Sequence, residues 1–101
     1  MRTMPGMTVI IPSDDATLRA AIFAAAEHMG PLFIRVPRVP ARDIHDASEP
    51  FAIGKGYKLR DGKDVTLVAM GMMAAIALDA SDALGGEGLS AEVIEIPTLK
   101  P

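Results

Sequence analysis

The sequence predicts an α/β fold of two short βαβ units of the three-layer type, with mainly parallel strands and a second half that starts with an antiparallel edge strand. Three observations carry this. Two β-branched apolar runs bracket an alanine-rich helical stretch in the first half. The order of elements recurs in the second half without a sequence repeat. A proline-containing polar stretch lies between them.

Thr8-Val9-Ile10-Ile11-Pro12 reads as a buried strand, short and stopped by proline. Ser13 is placed to cap a helix, because its hydroxyl can accept from a free first-turn amide. Asp14 and Asp15 then suit the positive end of the helix dipole. The helix is expected over residues 14–29, with Leu18, Ala21, Ile22, Ala25 and Met29 on one face and Gly30 as its stop. Pro31-Leu32-Phe33-Ile34-Arg35-Val36 reads as a second buried strand, completing a parallel, right-handed crossover unit.

Residues 37–50 change character: Pro37, Pro40 and Pro50 fix the backbone among polar side chains. The stretch is long for a connection within one compact unit and reads as a linker, with residues 1–36 and 51–101 as the two parts it joins. Residues 52–60 read as a strand interrupted by Gly54 and Gly56. Asp61-Gly62 is a turn signal, expected to join it as an antiparallel hairpin to Asp64-Val65-Thr66-Leu67-Val68-Ala69. A second helix follows over 72–84, with Met73, Ile76, Ala77, Ala80 and Leu84 on one face and Gly85-Gly86 and Gly88 as breakers. Residues 90–96 read as the last strand, and the remainder as an incipient loop. Sheets of two or three strands leave open edges, so completion in a larger sheet or an oligomer is expected.

The 101 residues are 50% hydrophobic and 23% charged, the balance of a globular chain, with a net charge of −3. No positive field of the kind nucleic-acid binding needs is present. There is no cysteine, which excludes disulfides, iron–sulfur clusters and thiolate zinc sites. No apolar run approaches a membrane span, and residues 1–5 lack the apolar core of a signal peptide, so no membrane partner and a cytoplasmic setting are expected.

Few residues offer chemistry. His28 and His45 share no ligand spacing; His28 sits where a helix C-terminus favours a partly charged imidazole, and His45 is expected to be solvated. Asp14 and Asp15 are adjacent on a helix and do not face each other, so capping accounts for them better than a carboxylate dyad. Asp79 and Asp82 can meet, but a solvated helix face explains them more simply. The glycines form no phosphate loop, no Gly-x-Ser-x-Gly occurs, and the seven methionines read as packing. Arg35 and Arg38 remain. They lie where the chain leaves a buried strand, the place where ligands gather in α/β sheets, and a guanidinium there suits a phosphate. The alternative is a linker arginine paired with Asp43 or Glu49.

The ordered series of motifs resembles the transketolase family. Arg2-Thr3-Met4-Pro5-Gly6-Met7-Thr8-Val9-Ile10 with Pro12-Ser13-Asp14 is similar to the family's arginine–proline–methionine strand and acidic cap. Gly30-Pro31-Leu32-Phe33-Ile34-Arg35-Val36-Pro37-Arg38 is similar to its next strand, which ends in an arginine. Phe51-x-Ile53-Gly54-Lys55-Gly56, Arg60-Asp61-Gly62-Lys63-Asp64-Val65-Thr66 and Pro97-Thr98-Leu99-Lys100-Pro101 resemble the opening of its C-terminal domain. Deoxyxylulose-phosphate synthases and the β subunits of 2-oxo-acid dehydrogenases share the domain plan.

The resemblance implies thiamine diphosphate with a divalent metal as the family's cofactors, and transfer of two-carbon ketol units between sugar phosphates. It makes residues 1–36 the end of the pyrimidine-binding domain, 37–50 a linker, and 51–101 the start of the C-terminal domain. It carries a substrate-phosphate role onto Arg38, with Arg35 the second candidate. No residue here matches the family's Gly-Asp-Gly segment or its activating glutamate, so no catalytic residue, no cofactor-binding residue and no metal ligand is assigned. The expectation is a fragment or small subunit, inactive alone, that works with a chain carrying the cofactor-binding domain or as a homo-oligomer. The alternatives are a non-catalytic, homo-oligomeric interaction module derived from such an enzyme, and a sugar-phosphate binder using Arg38.

Overall fold

The computed structural model describes residues 1–101. In chain order its elements are β1 (Thr8–Ile10), α1 (Asp15–Glu27), β2 (Leu32–Ile34), β3 (Tyr57–Arg60), β4 (Val65–Ala69), α2 (Met73–Gly86), β5 (Ala91–Glu95) and β6 (Thr98–Lys100). They form two three-stranded sheets, ordered β2-β1-β6 and β3-β5-β4. The mixed α/β class is the expected one, and β3 is an antiparallel edge strand as anticipated. Each sheet holds one parallel pairing, β1 with β2 and β4 with β5, and one antiparallel pairing.

Two expectations about the strands are corrected. The Asp61-Gly62 turn does not make a hairpin: β5 lies between β3 and β4 and pairs with both. Gly62 instead lets the chain pass against the start of β5, where a Cβ would fall 2.1 Å from the Glu92 amide nitrogen. Residues 98–100 are not a loop but β6, which returns to pair antiparallel with β1. The amide of Ile11 donates to the Pro97 carbonyl at 2.7 Å, and that of Ile96 to the Ala69 carbonyl at 2.9 Å, so the crossing from β5 to β6 ties the two sheets together.

The helices also differ. The cap of α1 is Asp14, not Ser13, because Asp14 and Thr17 form a reciprocal capping box. The helix stops at Glu27, before Gly30, with His28 already extended as its C-cap. Helix α2 runs through Gly85 and Gly86, which were expected to break it.

The buried helix faces are the small ones. Thr17 and Ala21 of α1, and Ala74 and Ser81 of α2, are buried. Small side chains let a helix backbone approach closely, and Ser81 donates its hydroxyl to the Ala91 carbonyl of β5. The bulkier residues expected inside stay out: Met29 is 92% exposed, Ile22 53% and Ile76 51%. Val9 and Ile10 in the first sheet and Val93 in the second anchor the cores.

Candidate functional site

The carboxyl ends of β1, β2 and β4 converge on a groove of about 240 Å³ between the two halves, lined by Ile11, Pro12, Arg35, Met70, Gly71 and Met73 among others. Gly71 shapes it. Its φ is +57°, and a Cβ there would lie 2.8 Å from Ile11 Cγ2, so glycine alone allows this approach of the halves. Helix α2 starts at this groove with no capping side chain and no acidic residue in its first turn.

Arg35 follows β2 directly; its amide donates to the Ile10 carbonyl at 2.9 Å and its side chain lines the groove. Arg38 lies three residues on, exposed, beyond the groove's lining. Neither guanidinium forms an ion pair, and Glu49 is engaged by His45 instead. The two cations thus stand with no carboxylate partner at the strand ends.

A second polar assembly was not legible beforehand. Asp14 Oδ1 accepts from the Thr17 amide at 2.9 Å and the Thr17 hydroxyl at 2.7 Å. Its Oδ2 accepts the amides of Ile44 at 2.9 Å and His45 at 2.7 Å. Burial alone would raise the Asp14 carboxyl, but the Thr17 hydroxyl and amide, with the Ile44 and His45 amides, hold it below the usual carboxylate value. One carboxylate therefore caps α1 and fastens the 37–50 segment at once. Arg42 adds a third tie, with Nη1 2.9 Å from Asp79 and Nη2 donating to the Ala75 carbonyl of α2. Arg60 pairs with Asp82, so both helix aspartates, expected to be merely solvated, hold arginines.

His45 is also not solvated. Its side chain is 2% exposed, with Nδ1 2.8 Å from Glu49 Oε2 and Nε2 on Oε2 of Glu95, which is fully buried. Tyr57 meets the ring edge-on at 5.8 Å, and Phe51 stacks on Tyr57 at 6.3 Å. Burial pushes the imidazole down, but Glu49, Glu95 and the charge of Asp14 lift it above its ordinary value. His28 sits at the C-terminus of α1 as expected, with Nε2 3.2 Å from the Thr8 hydroxyl.

No group of three or more His, Cys, Asp or Glu side chains is placed to hold a metal ion.

The geometry is that of two α/β halves meeting at their strand ends. Comparison with known proteins gives the family. Residues 54–101 match the model of the transketolase C-terminal domain. The whole chain is 48% identical to a 6-deoxy-6-sulfo-D-fructose transketolase subunit of a Clostridium species, covering 31% of that protein. It is 45% identical to a 1-deoxy-D-xylulose-5-phosphate synthase of Syntrophotalea carbinolica, covering 16%. A solved structure described as a split gene transketolase, inactive beta4 tetramer, superposes with a TM-score of 0.95 at 41% identity, over 98% of this chain and 33% of that one. The chain is similar along its whole length to members of the transketolase family, which depend on thiamine diphosphate, and spans a third or less of these relatives.

Proposed function

We propose that this chain is the part of a transketolase subunit that joins two domains, residues 1–36 ending the pyrimidine-binding domain and 51–101 opening the C-terminal domain. It serves the transfer of two-carbon ketol units between sugars that end in a phosphate or a similar anion. It is inactive alone and works with a chain that carries the thiamine-diphosphate-binding domain. Identity along its full length to a transketolase subunit that is itself about three times as long carries the reading.

Arg38 holds the terminal anion of the sugar, with Arg35 beside it. Two unpaired guanidiniums beyond the carboxyl end of β2 support this, since nothing in the chain neutralises them and charged hydrogen bonds favour an anion there. The relative that acts on a sulfo-sugar widens the anion class from phosphate to sulfonate.

The test is ketol transfer by the chain together with its cofactor-carrying partner. Arg38→Ala should raise KM for a ketose phosphate by roughly tenfold to a hundredfold, the value of a lost charged hydrogen bond. KM for the same sugar without its anion should stay put. Equal loss on both sugars, or none, defeats the role of Arg38. Turnover of a ketose phosphate by this chain alone with added coenzyme defeats the subunit reading.

A second reading, a homo-oligomeric module, is favoured by one observation. β4 is a free sheet edge beside an apolar groove lined by Val68, Met73 and Ile76. Light scattering decides it: a monodisperse monomer rules it out.

A further inference from the structure

We propose that His45, clasped between Glu49 and Glu95, is a proton-operated latch that fastens the 37–50 segment across both halves of the molecule. The geometry requires a proton to be shared. Each ring nitrogen faces a carboxylate oxygen, Nδ1 facing Glu49 and Nε2 facing Glu95. A neutral imidazole has one N–H and can satisfy only one of them; the imidazolium donates to both.

The surroundings offer no other cation. Asp14 faces His45 from the start of α1, Glu95 from β5, and Tyr57 from β3, while Asp46 and Glu49 belong to the segment itself. All are acidic or neutral. The second oxygen of Glu95, Oε1, is buried without a hydrogen-bond partner, so this carboxylate leans on His45 for its compensation. When the ring loses its proton, one of the two contacts loses its donor. Glu49, half exposed, can turn to water, whereas Glu95 cannot.

The direction with pH follows from the fold favouring the charged ring. The fastening is whole below the unfolded imidazole value of about 6.5, and it fades as pH rises through the higher folded value. The latch stands apart from the role given to Arg38, and its test does not use activity.

The readout is hydrogen exchange at the amides of Ile44 and His45, which are bonded to Asp14 only while the segment is docked. The His45 imidazole is followed in the same samples by nitrogen–proton NMR. The ring should titrate above the ordinary imidazole value. Across that titration, protection of the two amides, corrected for intrinsic exchange, should fall on the order of tenfold for each unit by which the folded value exceeds the unfolded one. In His45→Gln the protection should not change with pH over this range. Should that variant unfold, Glu49→Gln keeps the buried contact to Glu95 and should lower the titration midpoint of the ring. A ring that titrates at or below the ordinary value overturns the latch. So does a fall in protection that persists in His45→Gln, or a midpoint unmoved in Glu49→Gln.

Discussion

Replacing Gly62 by alanine tests how the second sheet is assembled. A Cβ at this position would lie 2.1 Å from the Glu92 nitrogen, 2.2 Å from the Ala91 carbonyl carbon and 2.7 Å from the Ala91 oxygen. All three are backbone atoms inside the ordinary contact distance of 3.4 Å, the first two by more than 1 Å, and none can rotate away. The strand must shift as a unit. The amides of Lys63, Asp64 and Val65 converge on the Ser90 carbonyl at 3.2, 2.8 and 3.3 Å, and the Ser90 amide donates to Asp64 at 2.7 Å. A displacement of that size breaks about two of these, at about 1 kcal/mol each. Overpacking adds about 1–3 kcal/mol. The expected loss is therefore about 3–5 kcal/mol, a large share of the roughly 5–15 kcal/mol that holds a domain of this size together. Thermal unfolding followed by circular dichroism should show Tm falling by about 15 °C or more. Gly85→Ala is the control: nothing lies within 4 Å of its Cβ position and it sits inside α2, so it should gain up to about 1 kcal/mol. A fall of under about 4 °C for Gly62→Ala would refute the reasoning, because β5 would then not be pinned where it is.

Further outcomes follow from the polar ties. Asp14→Ala removes a helix cap and orphans two amides, and should cost about 2–4 kcal/mol in urea unfolding; a loss below about 1 kcal/mol would show that the segment is not held there. Because its folded carboxyl value is depressed, the contribution of Asp14 is whole above the unfolded value of about 3.9 and fades as pH falls through the folded one. The acid limb of a stability–pH curve should flatten in Asp14→Ala, and an unchanged limb contradicts this. The Arg42–Asp79 pair is 53% and 61% exposed, so a double-mutant cycle should return a coupling of under about 1 kcal/mol; a coupling above about 2 kcal/mol would mean that water does not screen it.

What the sequence made legible were features settled within a few residues. The β-branched run at Thr8–Ile10 and the crossover into Leu32–Ile34 are local signals, and both strands formed. Features decided by distant partners were hidden. Asp61-Gly62 carries a hairpin signal, but the strand that pairs with β3 arrives thirty residues later. β6 has three residues, too few for a period, and only β1 makes it a strand. Ala21 lay on the expected face of α1, but Ile22, Met29 and Ile76 were placed inside because side-chain size was read as burial, while close approach to the sheets selected Thr17, Ala74 and Ser81. His45 looked solvated because its buried partner, Glu95, lies 50 residues further on. The Asp14-x-x-Thr17 spacing was a signal within reach, since it is the pattern of a capping box shifted one residue from Ser13. That Arg35 and Arg38 come just after a strand was legible because it is a local feature.

Because β6 sits beside β1, the central strand of the first sheet stays half-paired until Thr98–Lys100 has been made. A ribosome exposes Thr8–Ile10 well before it supplies Thr98–Lys100, so completion of the first sheet waits on a closure of long sequence separation. Nascent chains arrested before Thr98 should be cleaved readily near β1, and protection should come when Thr98–Lys100 emerges. A single cut within residues 43–50 should leave two pieces that migrate together, stitched by β6, the strand that the second half lends to the first sheet.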